Sequence, residues 1–218
     1  MPQASAASPW RLVAVPAAIT LAVTLLRLVG ELLNWSPMLF SRAGGGGGAL
    51  VGIAWLVPVF AAWFGVRLAR AGERPGPLGP AFGLIVLAIA LVPLSGIAAA
   101  KAGIGQLELR MLFVFAVASL AGVVLAWRAW PALARTLLAY AVAARVPVAL
   151  IMLLAMLGNW GTHYDAAPPG FPEMGAFAKW LTIGLLPQAT VWFWFTIAFG
   201  GLFGLVAGAI AGRRSAVA

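Results

Sequence analysis

The sequence lacks cysteine entirely and has one histidine, His163, among its 218 residues. Without thiols the chain cannot hold an iron–sulfur cluster or a thiolate metal site, and no disulfide braces its loops. A single histidine also excludes a haem held by two histidines of this chain and a histidine-rich metal centre. No phosphate-binding loop of the Walker type occurs, so active pumping would need an energy-supplying partner. We therefore predict no metal and no cofactor, although the composition is compatible with a bound lipid.

Charge is also scarce. Only 9% of the residues are charged and 63% are hydrophobic, whereas a soluble domain carries roughly 25% charged residues. The apolar residues form six solid blocks, and each supplies about the 20 residues that a helix needs to cross a bilayer core. Barrel strands would be shorter and would alternate in hydrophobicity. The sequence therefore predicts an all-α integral membrane protein, a compact bundle of about six transmembrane helices in one domain over residues 1–218.

The predicted spans differ in how cleanly they end. The stretch from Trp180 to Gly212 holds 33 residues, too many for one ordinary spanning helix. We therefore expect a short interfacial helix, a break at Pro187, and then the last span. The longer predicted connections, 34–47 and 159–188, lie on one side of the membrane. The spans themselves are predicted at 10–33, 48–66, 79–100, 109–129, 132–158 and 189–212.

The basic residues predict the orientation. With the N-terminus inside, eight basic residues fall on the cytoplasmic side and four on the outer side, in agreement with the positive-inside rule. We therefore predict a multi-pass protein of the bacterial inner (plasma) membrane with both termini cytoplasmic. The net charge of +9 follows from this asymmetry and from anionic lipid, so we predict membrane lipids as partners and no nucleic acid. The eight are Arg11, Arg67, Arg70, Arg74, Arg128, Arg135, Arg213 and Arg214, and the four are Arg42, Lys101, Arg110 and Lys179.

Arg145 is the most costly residue of the predicted bundle, because it lies near the middle of the fifth span. An arginine at the bilayer centre costs roughly 2.5–3.5 kcal/mol on insertion scales. Two interpretations are open with equal weight. Arg145 is the centre of a buried anion or ion-pair site, or the first half of the span runs along the inner surface and Arg145 reaches the headgroups.

Two further polar clusters are predicted on the outer side. Arg27 and Glu31 are four residues apart and can pair on one helix face. The hypotheses are a cation or proton site and an ordinary neutralised pair, and the second is favoured. The second outer connection offers a proton-sensitive ligand contact, for which a plain polar surface loop is the alternative. The tentative ligand site comprises Arg27, Glu31, Arg145, Trp160, His163, Tyr164, Asp165 and Gln188.

Glycine is placed in two patterns. Five consecutive glycines, 44–48, could cradle an anion with their backbone amides, but a flexible connection is favoured. In the last span Gly200, Gly204, Gly208 and Gly212 recur every fourth residue and mark a helix-packing interface. The sequence leaves open whether the partner helix belongs to this chain or to another membrane subunit.

Three functions compete at this point. The first is a small-molecule-binding transporter or transporter subunit with its site in the outer half of the bundle. In size and topology the chain resembles the substrate-capture subunits of energy-coupling-factor vitamin transporters. The second is a non-catalytic accessory subunit of a larger membrane complex. The third and weakest is an intramembrane lipid-modifying enzyme with Glu31, His163 and Asp165 as acid–base groups; the sequence predicts no catalytic residue beyond these and leans against an enzyme.

Overall fold

Long apolar helices make up almost the whole structure. The structure, a computed structural model, describes residues 8–44, 49–106 and 108–214, and within them it has helices, turns and no strands. Five helical segments are long and apolar enough to cross a membrane, which confirms the predicted helical membrane protein. The helices are α1 (Pro9–Leu32), α2 (Leu56–Arg70), α3 (Leu78–Lys101), α4 (Leu109–Ala129), α5 (Pro131–Gly158), α6 (Ala176–Lys179) and α7 (Gly200–Arg214).

The second predicted span, 48–66, is displaced in the structure. Helix α2 begins only at Leu56 and contains 15 residues, which span about 22 Å at 1.5 Å per residue. Proline is tolerated in the first turn of a helix, and Pro58 at the third position of α2 fits a start there. Residues 49–55 form turns instead. Of the glycine run 44–48, residues 45–48 lie outside the described residues, so its role remains a prediction.

The last span also differs from expectation, because the chain stays helical through Pro187. One segment, Ala176–Arg213, holds 38 residues. Three π-helical stretches, Trp180–Leu185, Gln188–Trp192 and Phe195–Phe199, join α6 to α7. Wider π turns alter the hydrogen-bond pattern around a residue that has no N–H to donate, so the expected break at Pro187 is replaced by irregular winding. The segment is longer than a bilayer core of about 30 Å, so it tilts or extends beyond that core.

The connections gather at two ends of the bundle. The connections after α1, α3 and α5 follow alternate helices and share one end, named here the loop end; their described residues are 33–44, 49–55, 102–106, 108 and 159–175. The opposite end carries the start of α1, the turn at Trp130 and the end of α7. The helix order therefore places the eight basic residues predicted to be cytoplasmic at the opposite end and the four predicted to be outside at the loop end, as the sequence predicts. The assignment of the loop end to the outer face of the membrane stays a prediction.

Glycine residues allow α2 and α7 to pack in close contact. A Cβ on Gly65 of α2 would overlap the backbone carbonyl of Gly204 in α7, and one on Gly204 would lie 2.9 Å from the carbonyl oxygen of Ala61. Gly200 also faces Ala61, and a Cβ on Gly208 would collide with the Trp130 ring. Three members of the glycine stripe are therefore occupied within this chain. A second subunit, still a prediction, would have to use another face of the last helix.

A substitution at Gly65 tests the close contact between α2 and α7. We expect Gly65→Ala to lower the unfolding midpoint, because overpacking of a tight contact typically costs about 1–3 kcal/mol. Gly83→Ala in α3 is the matched control, since no atom lies within 4 Å of a Cβ built there. Thermal unfolding in detergent, followed by tryptophan fluorescence, measures both. Equal midpoints for the two variants would contradict the crossing.

Candidate functional site

A cavity of about 600 Å³ lies at the loop end and reaches down to the middle of α5. Its walls come from α1, the turns at 49–55, α5 and the last helical segment, and residues of the 159–175 connection, named here the roof loop, also line it. Small-molecule sites usually have volumes of about 300–1,000 Å³. The cavity therefore has the volume of a small-molecule site.

Five of the eight predicted ligand-site residues line this cavity. The structure brings together side chains from four parts of the sequence: α1, α5, the roof loop and the last helical segment. The remaining three residues, Glu31, Trp160 and Asp165, lie outside the lining. The five lining residues are Arg27, Arg145, His163, Tyr164 and Gln188.

The carboxylate of Glu31 organises the wall behind the cavity. It is fully buried and accepts a hydrogen bond from Arg27 Nε at 2.8 Å. His163 approaches it twice, with its backbone N–H at 2.8 Å from Oε2 and its Nδ1 at 2.6 Å from Oε1. Arg42 donates to the backbone carbonyl of Glu31, and Arg27 also reaches the carbonyl of Ser41 at 3.1 Å. The predicted neutralised pair is present, and its contacts tie α1 to two of the three loop-end connections, the one that holds Arg42 and the roof loop.

The roof loop is held by its own polar residues. The Asp165 carboxylate accepts hydrogen bonds from the backbone N–H groups of Gly161 at 2.8 Å and Thr162 at 2.7 Å. Tyr164 donates its hydroxyl to the carbonyl of Thr24 at 3.1 Å. Trp160 packs against the buried cluster that contains Tyr164 and Val148. The polar run that the sequence marked as binding chemistry thus serves largely to shape and dock the loop.

Burial sets the protonation of the loop residues. It lowers the pKa of His163 below its ordinary range, and this effect outweighs the opposing hydrogen bond with Glu31. The neutral imidazole then donates Nδ1–H to the Glu31 carboxylate, a tautomer assigned from the hydrogen-bond partner. Burial also raises the pKa of the Tyr164 phenol, which stays neutral. Neither side chain is a free acid or base.

Arg145 differs from every other charged group in the cavity wall. Its side chain is only 4% exposed, and its guanidinium lies 4.6 Å from the centre of the Trp192 ring. Its Nε has no hydrogen-bond partner in the described part of the chain, and no carboxylate there pairs with it. The interpretation in which Arg145 reaches the lipid headgroups does not fit this burial, because the side chain faces the cavity from the middle of α5.

Sequence reasoning missed part of the lining. Trp192 is absent from the predicted ligand site, and Ile53 falls within the predicted helix 48–66, yet both line the cavity. Phe171 of the roof loop lines it as well. The position of Pro58 signals the late start of α2. No sequence signal links Trp192 to Arg145, because 47 positions separate them.

Glu31→Gln tests the role of the buried carboxylate. Removing one partner of a buried ion pair typically costs about 3–5 kcal/mol, because the other charge stays buried without compensation. We expect a lower unfolding free energy and faster protease cleavage within the roof loop. Glu73→Gln, at an exposed position of the opposite end, should leave both unchanged. Retained stability in Glu31→Gln would show that the carboxylate does not hold the loop end together.

Comparison of the chain with models of protein families, with curated proteins and with solved structures finds no match. The cavity and its charged residues are therefore the basis for the function proposed below.

Proposed function

We propose that this protein is a membrane transporter, or the membrane subunit of one, that binds a small molecule in the loop-end cavity. The observation that carries the proposal is the buried Arg145 facing a cavity of about 600 Å³ without a carboxylate partner among the described residues. Ionisable groups inside a membrane are rare and usually mark substrate or ion pathways. A cavity that joins such a group to one end of the bundle is what a solute-binding site requires.

Two walls of the cavity, the roof loop and the π-helical segment, have the features of parts that move to admit a ligand. The roof loop is held to α1 by hydrogen bonds of Glu31 and Tyr164 rather than by covalent links. On the opposite wall, Pro187, Gln188 and Trp192 lie in or next to π-helical turns. Such turns occur frequently at functional sites, and loop movements commonly admit a substrate and exclude water. In this proposal the roof loop and the π-helical wall are the parts that move.

The charge distribution supports an outward-facing cavity. The loop end carries four basic residues and the opposite end eight, so the positive-inside rule favours the loop end as the outer face. The proposed protein captures its solute from outside the cytoplasmic membrane. Release to the other side would be passive or would use an energy-supplying partner.

The two alternative functions have less support from the geometry. The glycine stripe that suggested an accessory subunit packs largely within the chain, at Gly200, Gly204 and Gly208. A lipid-modifying enzyme would need an available carboxylate. Glu31 and Asp165 both accept hydrogen bonds from this chain's own groups.

A pair of valines on one helix tests the proposal. Val148 lines the cavity and is 6% exposed, whereas Val146, two residues earlier, is 48% exposed on the outside of α5. Native mass spectrometry of protein gently extracted from its own membranes should show a bound small molecule in the wild type and in Val146→Phe. Val148→Phe should lose it, because the larger ring fills the cavity.

A second pair of variants keeps the test decisive if Val148→Phe fails to fold. Ile183→Phe fills the cavity from the last helical segment, and Leu181→Phe adds the same ring at a 40% exposed position. Loss of the small molecule in both cavity variants and retention in both controls supports the proposal. A wild-type chain that carries no small molecule but a stoichiometric second polypeptide would instead favour the accessory subunit.

A further inference from the structure

The cavity wall carries one positive charge that no carboxylate in the described part of the chain neutralises. Arg27 lines the cavity but is paired with Glu31 at 2.8 Å. Arg145 lines it too and is 96% buried. Among the described residues it contacts the face of Trp192 and lies near the Tyr140 phenol, but no carboxylate pairs with it. No acidic residue belongs to the described lining. A cation–π contact stabilises a guanidinium but leaves its N–H groups available for an acceptor.

A second unsatisfied polar group lies on the neighbouring wall. Gln188 is 92% buried, and its Oε1 has no hydrogen-bond partner among the described residues. Its Nε2 has only a weak contact with the sulfur of Met152 at 3.8 Å. Gln188 precedes Trp192 by four residues in the same π-helical stretch, and both line the cavity, where Trp192 lies next to Arg145. Because the amide oxygen and nitrogen can be interchanged, Gln188 can offer either a donor or an acceptor to a ligand.

Three other polar groups of the wall already have hydrogen-bond partners. Thr24 donates to the carbonyl of Thr20 at 2.9 Å, and Thr182 donates to that of Ala178 at 2.8 Å. The Tyr164 hydroxyl is bound to Thr24, as described above. Much of the remaining surface is apolar and includes Ile53 and Phe171. The cavity thus sets Arg145 and Gln188 in a largely apolar wall.

We propose that the ligand is a small organic acid with one negative charge and an apolar body, bound through its acid oxygens to Arg145 and Gln188. The inference rests on the proposed function and names the ligand class of the same cavity. A single charge fits, because Arg27 is already neutralised and a second negative charge would have no partner. An amine is disfavoured by the two guanidinium groups, and a neutral ligand would leave the buried charge of Arg145 without an anion.

An acid of this kind has two sources, a free small molecule and an acidic membrane lipid. Both supply an oxyanion next to an apolar chain. The test therefore needs arms with defined free acids and arms with defined lipids.

The experiment uses matched acids and amides. Benzoate, 4-phenylbutyrate and octanoate, each beside its primary amide, are added to the full-length protein in phosphatidylcholine nanodiscs, and binding is followed by thermal shift and by titration calorimetry. We expect at least one acid to bind the wild type more tightly than its amide. Arg145→Gln should weaken that acid by roughly thirtyfold or more, which equals about 2 kcal/mol at 1.4 kcal/mol per tenfold. Arg135→Gln, at an exposed position of the same helix, should leave binding unchanged.

The outcomes separate this inference from the proposed function. If no acid binds better than its amide, or if the advantage survives in Arg145→Gln, the organic-acid assignment is overturned. Loss of the co-purified molecule in Val148→Phe would still support the cavity as a binding site in that case. Repeating the titration with phosphatidylglycerol in the nanodiscs identifies the source of the ligand. If phosphatidylglycerol displaces the bound acid, the natural ligand is an acidic lipid; if the acid stays bound, the natural ligand is a free small molecule.

Discussion

The loop end of this protein depends on one buried carboxylate. A charge inside an apolar bundle is tolerated only when it is paired and hydrogen-bonded, and Glu31 meets both conditions through Arg27 and His163. Because His163 belongs to the roof loop, the same carboxylate that neutralises α1 also positions the cover of the cavity. Arg42 adds the first connection by binding the Glu31 carbonyl. The cavity exists because these segments meet at one acidic side chain.

The two arginines of the cavity wall, Arg27 and Arg145, have different roles. Arg27 is satisfied by this chain: it binds Glu31 and Ser41, and Gly52 leaves room for its guanidinium, since a Cβ there would be 3.3 Å from Nη1. Arg145 is equally buried but has an aromatic face where Arg27 has a carboxylate. The difference makes Arg27 a structural residue and Arg145 the candidate for ligand binding.

The sequence was sufficient for features that depend on local spacing. Block length identifies the membrane helices, and the i, i+4 separation identifies the pair of Arg27 and Glu31. Features that depend on distant segments were not accessible. Glu31 and His163 are separated by 132 positions, and their contact arises only when α1 and the roof loop are packed together. The winding at Pro187 was missed for another reason: proline predicts a break, whereas the π-helical turns on either side allow the helix to continue.

In the proposal made here, Arg145 faces a ligand rather than lipid or another side chain. An experimental structure of the protein, extracted gently from its own membranes without added ligand, tests this most directly. We expect density for a non-protein molecule under the roof loop, with an acidic group within hydrogen-bond distance of the Arg145 guanidinium. A cavity filled by side chains, or an Arg145 paired with a carboxylate of this chain or of a second subunit, would contradict it.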